Sequence, residues 1–314
     1  MSRRHFLKTT AAAALATGFS AFADPSSPGR RIIDTHTHFY DVTRPQGVPW
    51  PPKQSPLYRK VLPEDWKAVA SPLGVHETVV VEASPWVEDN EWILQLASAE
   101  KCIVGFVGNL DPHDAVFAEH LKRFAANPLF RGIRWRGDLV KWDAGQEKVL
   151  NAARLLAEKG LSLDVNGVPA ALPQVAKLAK EVPELNIIIN HVGGAGDPQK
   201  LKPEWLENMR LAAACPNVVM KVCGMLEQVA GKGPAAPPME TGYYLPILEP
   251  LWESFGPERL LYGSNWPVSD RAAPYASVFR LVSEYFESKG TEALDRYFTQ
   301  NARRVYRCLD RAQG

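Results

Sequence analysis

Eight short apolar runs, rich in valine and isoleucine, recur along the chain, at residues 32–40, 77–84, 103–111, 130–137, 161–168, 186–194, 217–225 and 260–268. Most are near-continuous and not alternating, as strands buried on both faces are. Helical patterns lie between them. Glu91 to Ala97, Val116 to Phe124, Val149 to Leu156 and Val175 to Ala179 carry apolar residues at i, i+3 and i+4. Gly160 and Gly256 stand where a helix is expected to stop. A strand with its crossover helix needs roughly 30 residues, and the runs recur at about that interval. The pattern predicts a single-domain α/β fold, a (β/α)8 TIM barrel over residues 31–310. A doubly wound open sheet is the alternative.

The N-terminus stands apart from this pattern. Arg3-Arg4-His5-Phe6-Leu7-Lys8 is followed by a small, apolar stretch from Thr9 to Phe22, and Ala21-Phe22-Ala23 fits a small-x-small cleavage site. Residues 1–23 therefore read as an export signal of the twin-arginine type, which predicts a periplasmic or exported protein, and residues 24–30 as a linker. Arg3, Arg4 and Lys8 fall within the signal and no acid does. The 36 basic and 35 acidic residues of the whole chain then become 33 and 35 in the mature protein, a net charge near −2. No basic surplus exists to neutralise a phosphate backbone, so nucleic acid is not an expected partner. Outside the signal no apolar run reaches 18 residues, so no membrane span is expected in the mature chain. The four cysteines, Cys102, Cys215, Cys223 and Cys308, form no Cys-x-x-Cys pair, and four buried thiols are expected in place of a structural zinc site.

Barrel enzymes keep their sites at the C-terminal ends of the strands. The first strand ends Asp34-Thr35-His36-Thr37-His38, and i, i+2 spacing lets both histidines face the barrel mouth. Two such imidazoles are a metal-ligand pair or a pair that polarises a carbonyl. Glu82 ends the second run as a ligand, base, substrate anchor or salt-bridge partner. Arg134 and Arg136 on the fourth could fork onto a carboxylate or an oxyanion. Asp164 and Asn166 end the fifth, His191 the sixth, and Lys221 with Cys223 in register the seventh. The eighth gives Gly263-Ser264-Asn265-Trp266-Pro267. His76, His113 and His120 fall at the opposite rim, in a loop and in a helix, and read as structural or solvated. Two long connections follow strands. One runs from Asp41 to Pro63 with six prolines, Trp50 and Tyr58. The other carries Gly231 to Pro238. Both read as lids or as proline-stiffened loop extensions.

His36-Thr37-His38 on the first strand, Gly132-Ile133-Arg134, Asn190-His191-Val192-Gly193, Asn217 to Gly224, Phe255 to Pro267 and the closing Asn301 to Tyr306 form an ordered series. Together they resemble the amidohydrolase superfamily, and within it the lactonase-type branch that includes 2-pyrone-4,6-dicarboxylate lactonase and L-fuconolactonase. The resemblance spans almost all of the mature chain and implies a hydrolase that attacks a small lactone or related carboxylate substrate with activated water. It implies a divalent metal, zinc first, held by His36, His38 and His191, although a metal-free mechanism exists within the branch. It assigns Arg134, with Arg136 and Trp266 beside it, to the substrate. The chain departs from the family at Asn265, where the family pattern has an aspartate that takes the proton from water. An amide has no usable basic pKa and can only position water. The expected catalytic set is therefore His191, Asn265 and Glu82, with His191 or Glu82 as the base. Two further readings of the same barrel are a metal-assisted decarboxylase of an aromatic acid and a catalytically disabled sugar-acid-binding protein.

Overall fold

The computed structural model describes residues 31–135, 143, 145–230 and 236–311. The expected signal and linker, Arg136, and most of the Gly231–Pro238 connection lie outside the described residues. Eight parallel strands follow one another in sequence order. They are β1 (Ile32–Thr37), β2 (Val75–Val81), β3 (Ile103–Gly108), β4 (Phe130–Trp135), β5 (Ser162–Asn166), β6 (Ile187–Asn190), β7 (Val218–Val222) and β8 (Leu260–Tyr262). The connecting helices are α1 (Pro63–Ala70), α2 (Asp89–Ala99), α3 (Phe117–Ala125), α4 (Glu147–Glu158), α5 (Leu172–Glu181), α6 (Pro203–Ala213), α7 (Met225–Ala230), α8 (Thr241–Phe255) and α9 (Tyr275–Ser288). Two short helices, α10 (Thr291–Asp295) and α11 (Asn301–Tyr306), end the chain. The TIM barrel predicted from the spacing is the fold observed. No helix among the described residues is long and apolar enough to cross a membrane.

The barrel closes where β8 meets β1. Thr37 bridges Trp266 in parallel, and the His38 N–H donates to the Trp266 carbonyl at 2.9 Å. Asp34 reinforces the seam by accepting from the Ser264 N–H at 2.9 Å, the His36 N–H at 3.1 Å and the Tyr275 hydroxyl at 3.0 Å. Burial pushes the Asp34 carboxyl up, and these donors oppose it.

Two apolar layers hold the fold. Inside the barrel, Ile33, Val79, Val104, Val107, Ile188 and Val219 pack together, and Ala302, Val305 and Tyr306 of α11 close their far end. Outside, the helices cover the opposite strand faces in one larger cluster. Each fully buried valine or isoleucine stabilises by roughly 1.5–3 kcal/mol. Strands lined on both sides therefore tend to read as near-continuous apolar runs, as β3, β6 and β8 do, while β1, β4 and β5 are interrupted by polar residues. All four cysteines are free, with Cys102, Cys215 and Cys223 buried.

Candidate active site

β1 delivers two imidazoles to the mouth. Ile33 belongs to the barrel interior, while Asp34 reaches outward to Tyr275 on α9. A register irregularity between Asp34 and Thr37 then resets the alternation, so that His36 and His38 both turn inward. Their ring centroids lie 5.0 Å apart, and that of His36 lies 4.7 Å from His191. Gly263 leaves room for this turn, because a Cβ there would come within 2.9 Å of the His36 Cβ.

His191 follows β6 in a left-handed turn, with φ of 56° at His191, 48° at Val192 and 64° at Gly193. Its N–H donates to Cys223 Sγ at 3.3 Å, and its carbonyl accepts from Gln228 Nε2 at 3.1 Å. His191 Nδ1 also lies 3.3 Å from Cys223 Sγ, and His36 Nδ1 3.9 Å from it. Donor atoms of His36, His191 and Cys223 all fall within 4.8 Å of one another. His36 Nε2 is buried with no hydrogen-bond partner among the described residues. An orphaned imidazole nitrogen beside a second imidazole and a thiol is a fitting cradle for a metal ion of intermediate softness.

His38 stands next to this trio but outside the 4.8 Å set. Its Nδ1 meets the Val81 carbonyl at 2.9 Å. A carbonyl only accepts, so Nδ1 carries the proton and Nε2 keeps its lone pair. Burial, reinforced by the Arg134 charge, lowers the His38 and His191 pKa values to about 3. Both rings are therefore neutral near pH 7. Burial pushes the Cys223 thiol up to about 12.

Above the trio opens a cavity of about 210 Å³ lined by His38, Trp50, Ala83, Arg134, His191, Asn265 and Val268. Trp50 comes from the first long connection and packs edge-on against His38 at 6.0 Å and Tyr40 at 5.4 Å. That connection is tied down where Tyr40 and Val61 exchange backbone hydrogen bonds. It roofs one side of the mouth, as a lid does.

Glu82 and Arg134 form one unit. Arg134 Nε donates to Glu82 Oε1 and Nη2 to the Glu82 carbonyl, each at 2.6 Å, and both side chains are buried. Of the two residues expected to act as base, Glu82 is thus engaged by a guanidinium and His191 sits in the donor trio. Trp266 lies in the core, its ring 6.4 Å from Phe39, and does not line the cavity. Asp164 and Lys221 form a buried ion pair inside the barrel. Reading strand ends alone missed Trp50 and also Glu227 on α7, whose Oε1 accepts from Asn265 Nδ2 at 2.7 Å.

Gly224 supports His191 from below. It has φ of 69°, and a Cβ there would lie 2.8 Å from His191 Nδ1. Gly224→Ala is expected to tilt the ring and lower turnover about 10²-fold, as misplacement by about an ångström does. The backbone strain is expected to destabilise by about 1–3 kcal/mol. Steady-state kinetics and urea unfolding of the variant check both effects.

Comparison with known proteins agrees with this fold. The amidohydrolase family profile matches residues 33–308, and a twin-arginine translocation signal profile matches residues 1–20. The chain is 31% identical to L-fucono-1,5-lactonase of Burkholderia ambifaria, over 90% of this chain and 97% of that protein. It is 26% identical to L-fucono-1,5-lactonase of Burkholderia multivorans, over 83% and 90% of the two chains. Among solved structures, a Burkholderia multivorans amidohydrolase, crystallised with bound zinc, superposes with a TM-score of 0.78. It shares 24% identity and covers 89% of this chain and 100% of its own, a likeness of fold. The chain belongs to the amidohydrolase family, as a hydrolase that carries a twin-arginine export signal.

Proposed function

We propose that the protein hydrolyses a small sugar-acid lactone by attack of water on the ring ester, in a site that holds one divalent metal. The observation that carries this reading is the donor trio of His36, His191 and Cys223, of which His191 lines a cavity that Arg134 also faces. The identity with the two L-fucono-1,5-lactonases supports a lactone over an aromatic acid or a merely bound ligand. In this reading His36 and His191 would serve as metal ligands. Cys223 joins them, and His38 stays beside them at the cavity wall.

Imidazole and thiol donors suit zinc. When bound, such a metal polarises the ester carbonyl and acidifies water. The protein groups do the rest. Arg134, held in place by Glu82, faces the cavity, where it holds the lactone by its polar oxygens. Asn265 orients the water at the opposite wall. Trp50 covers the mouth and limits solvent.

Metal analysis of protein purified without chelator, beside a panel of aldono-1,4- and 1,5-lactones, tests this. About one metal per chain and hydrolysis of at least one lactone are expected. Chelator treatment is expected to remove both. No turnover on any lactone with metal present would sink the reading.

Arg134→Lys gives a separate check. Lysine cannot hold both the Glu82 carboxylate and its carbonyl in a fixed fork. KM for the lactone is expected to rise about tenfold with a smaller change in kcat, the pattern of lost substrate binding.

A further inference from the structure

The Asn265 side chain spans two elements. It starts after β8 with φ of 60° and meets α7, where Nδ2 donates to Glu227 Oε1 at 2.7 Å. A carboxylate accepts and an amide nitrogen donates, so this contact fixes which end of the amide faces α7. The amide oxygen is then the end left for the site. Asn265 lines the cavity, and Glu227 stands behind it.

Glu227 is held there at a cost. Its Oε2 is buried with no hydrogen-bond partner among the described residues. A half-satisfied buried carboxylate destabilises a fold unless something else retains it. The groups that act on it are Asn265, Arg271, Asp270 and its own backbone, with Cys223 and Tyr244 nearby. Among the described residues, the Asn265 amide is the one side-chain donor to this carboxylate.

We propose that Glu227 is a positioning residue for lactone hydrolysis: by accepting from Asn265 Nδ2 it holds the Asn265 amide with its oxygen toward the cavity, as the acceptor that orients the attacking water. The assignment rests on the hydrolytic reading above and adds a residue to it. Without the lock, the amide flips and presents N–H groups where an acceptor is needed.

The test exchanges the pair. Glutamine at 227 can offer either end of its amide, so Glu227→Gln releases the orientation. kcat is expected to fall about 10²-fold with KM within about twofold. Asn265→Asp alone sets two carboxyls at hydrogen-bond distance, where one must stay protonated. Its pH profile is expected to gain an ionisation that the wild type lacks. In Asn265→Asp/Glu227→Gln the glutamine nitrogen donates to the new carboxylate. That variant is expected to recover kcat to at least the wild-type level and to lose the extra ionisation. Glu227→Asp, which keeps the charge but falls one methylene short, is expected to match Glu227→Gln, and it replaces that variant should glutamine fail to fold.

A wild-type kcat in Glu227→Gln and Glu227→Asp, or a double variant no better than Asn265→Asp, would overturn the assignment. A readout free of turnover separates it from the lactonase reading. The Asn265 side-chain amide protons are expected to exchange slowly by NMR in the wild type and faster in Glu227→Gln. Fast exchange in the wild type overturns the positioning role whatever the substrate. Slow exchange with no lactone turned over overturns the hydrolytic reading and, with it, the catalytic half of this assignment.

Discussion

His36→Ala is expected to strip the protein of metal and lower kcat/KM on its lactone at least about 10³-fold. The expectation follows from one atom. His36 Nε2 is buried and has no partner among the described residues, while every other nitrogen of the His36, His38 and His191 group is near a protein acceptor, a sulfur or the cavity. A buried polar nitrogen without a partner destabilises the fold, and a metal removes that deficit. Removing the ring leaves His191 and Cys223, two donors where a retained catalytic metal has three protein ligands. His38→Ala supplies the contrast. His38 is outside the trio, so that variant is expected to keep its metal and lose turnover through the cavity wall. Cys223→Ala is expected to behave like His36→Ala. Metal content per chain, measured on the three variants purified side by side, decides the assignment. Metal lost from His38→Ala and kept in Cys223→Ala would return the ligand set to His36, His38 and His191, as first expected.

That contrast marks how far the sequence was legible. The barrel was readable because the strands are buried on both faces, which writes mostly near-continuous apolar runs of 8 or 9 residues into the sequence. The strand-end histidines were readable because a barrel has one functional rim. The i, i+2 spacing singled out His36 and His38, yet β1 does not run regularly, and a register irregularity between Asp34 and Thr37 accompanies their inward turn. No residue type in Asp34-Thr35-His36 announces that shift. Glu82 and Arg134 were each visible as polar strand ends. Their mutual hydrogen bonds cross 52 positions and two strand registers, which sequence order does not encode. Cys223 was seen in register with Lys221 but read as one of four buried thiols, because His191 reaches it only through a left-handed turn at 191–193. Glu227 lies on a helix, beyond the strand ends where function was sought.

Lys221→Met is the second large effect, and it falls on stability. Lys221 Nζ lies 2.8 Å from Asp164 Oδ2, and neither side chain is exposed. The Tyr306 hydroxyl donates toward both Asp164 oxygens, at 2.9 and 3.0 Å, and its ring lies 5.2 Å from Lys221 Nζ. The pair therefore links β5 and β7 to α11 across the barrel interior. Methionine fills nearly the same volume, so little packing is lost and the change isolates the charge. Asp164 would be left buried with the tyrosine alone. Breaking a buried ion pair from one side costs about 3–5 kcal/mol. For a domain of this size that corresponds to a fall in Tm of about 10 °C. Asp164→Leu/Lys221→Met removes both charges and is expected to regain most of the loss, since an apolar replacement of a buried pair is often neutral or stabilising. Differential scanning calorimetry of the single and double variants checks the sign and size. Lys221 also lowers the pKa of His36 and His191. A double variant that regains stability but not turnover would therefore show that this pair serves the imidazoles above it as well as the barrel around it. Full recovery of both would confine it to the fold.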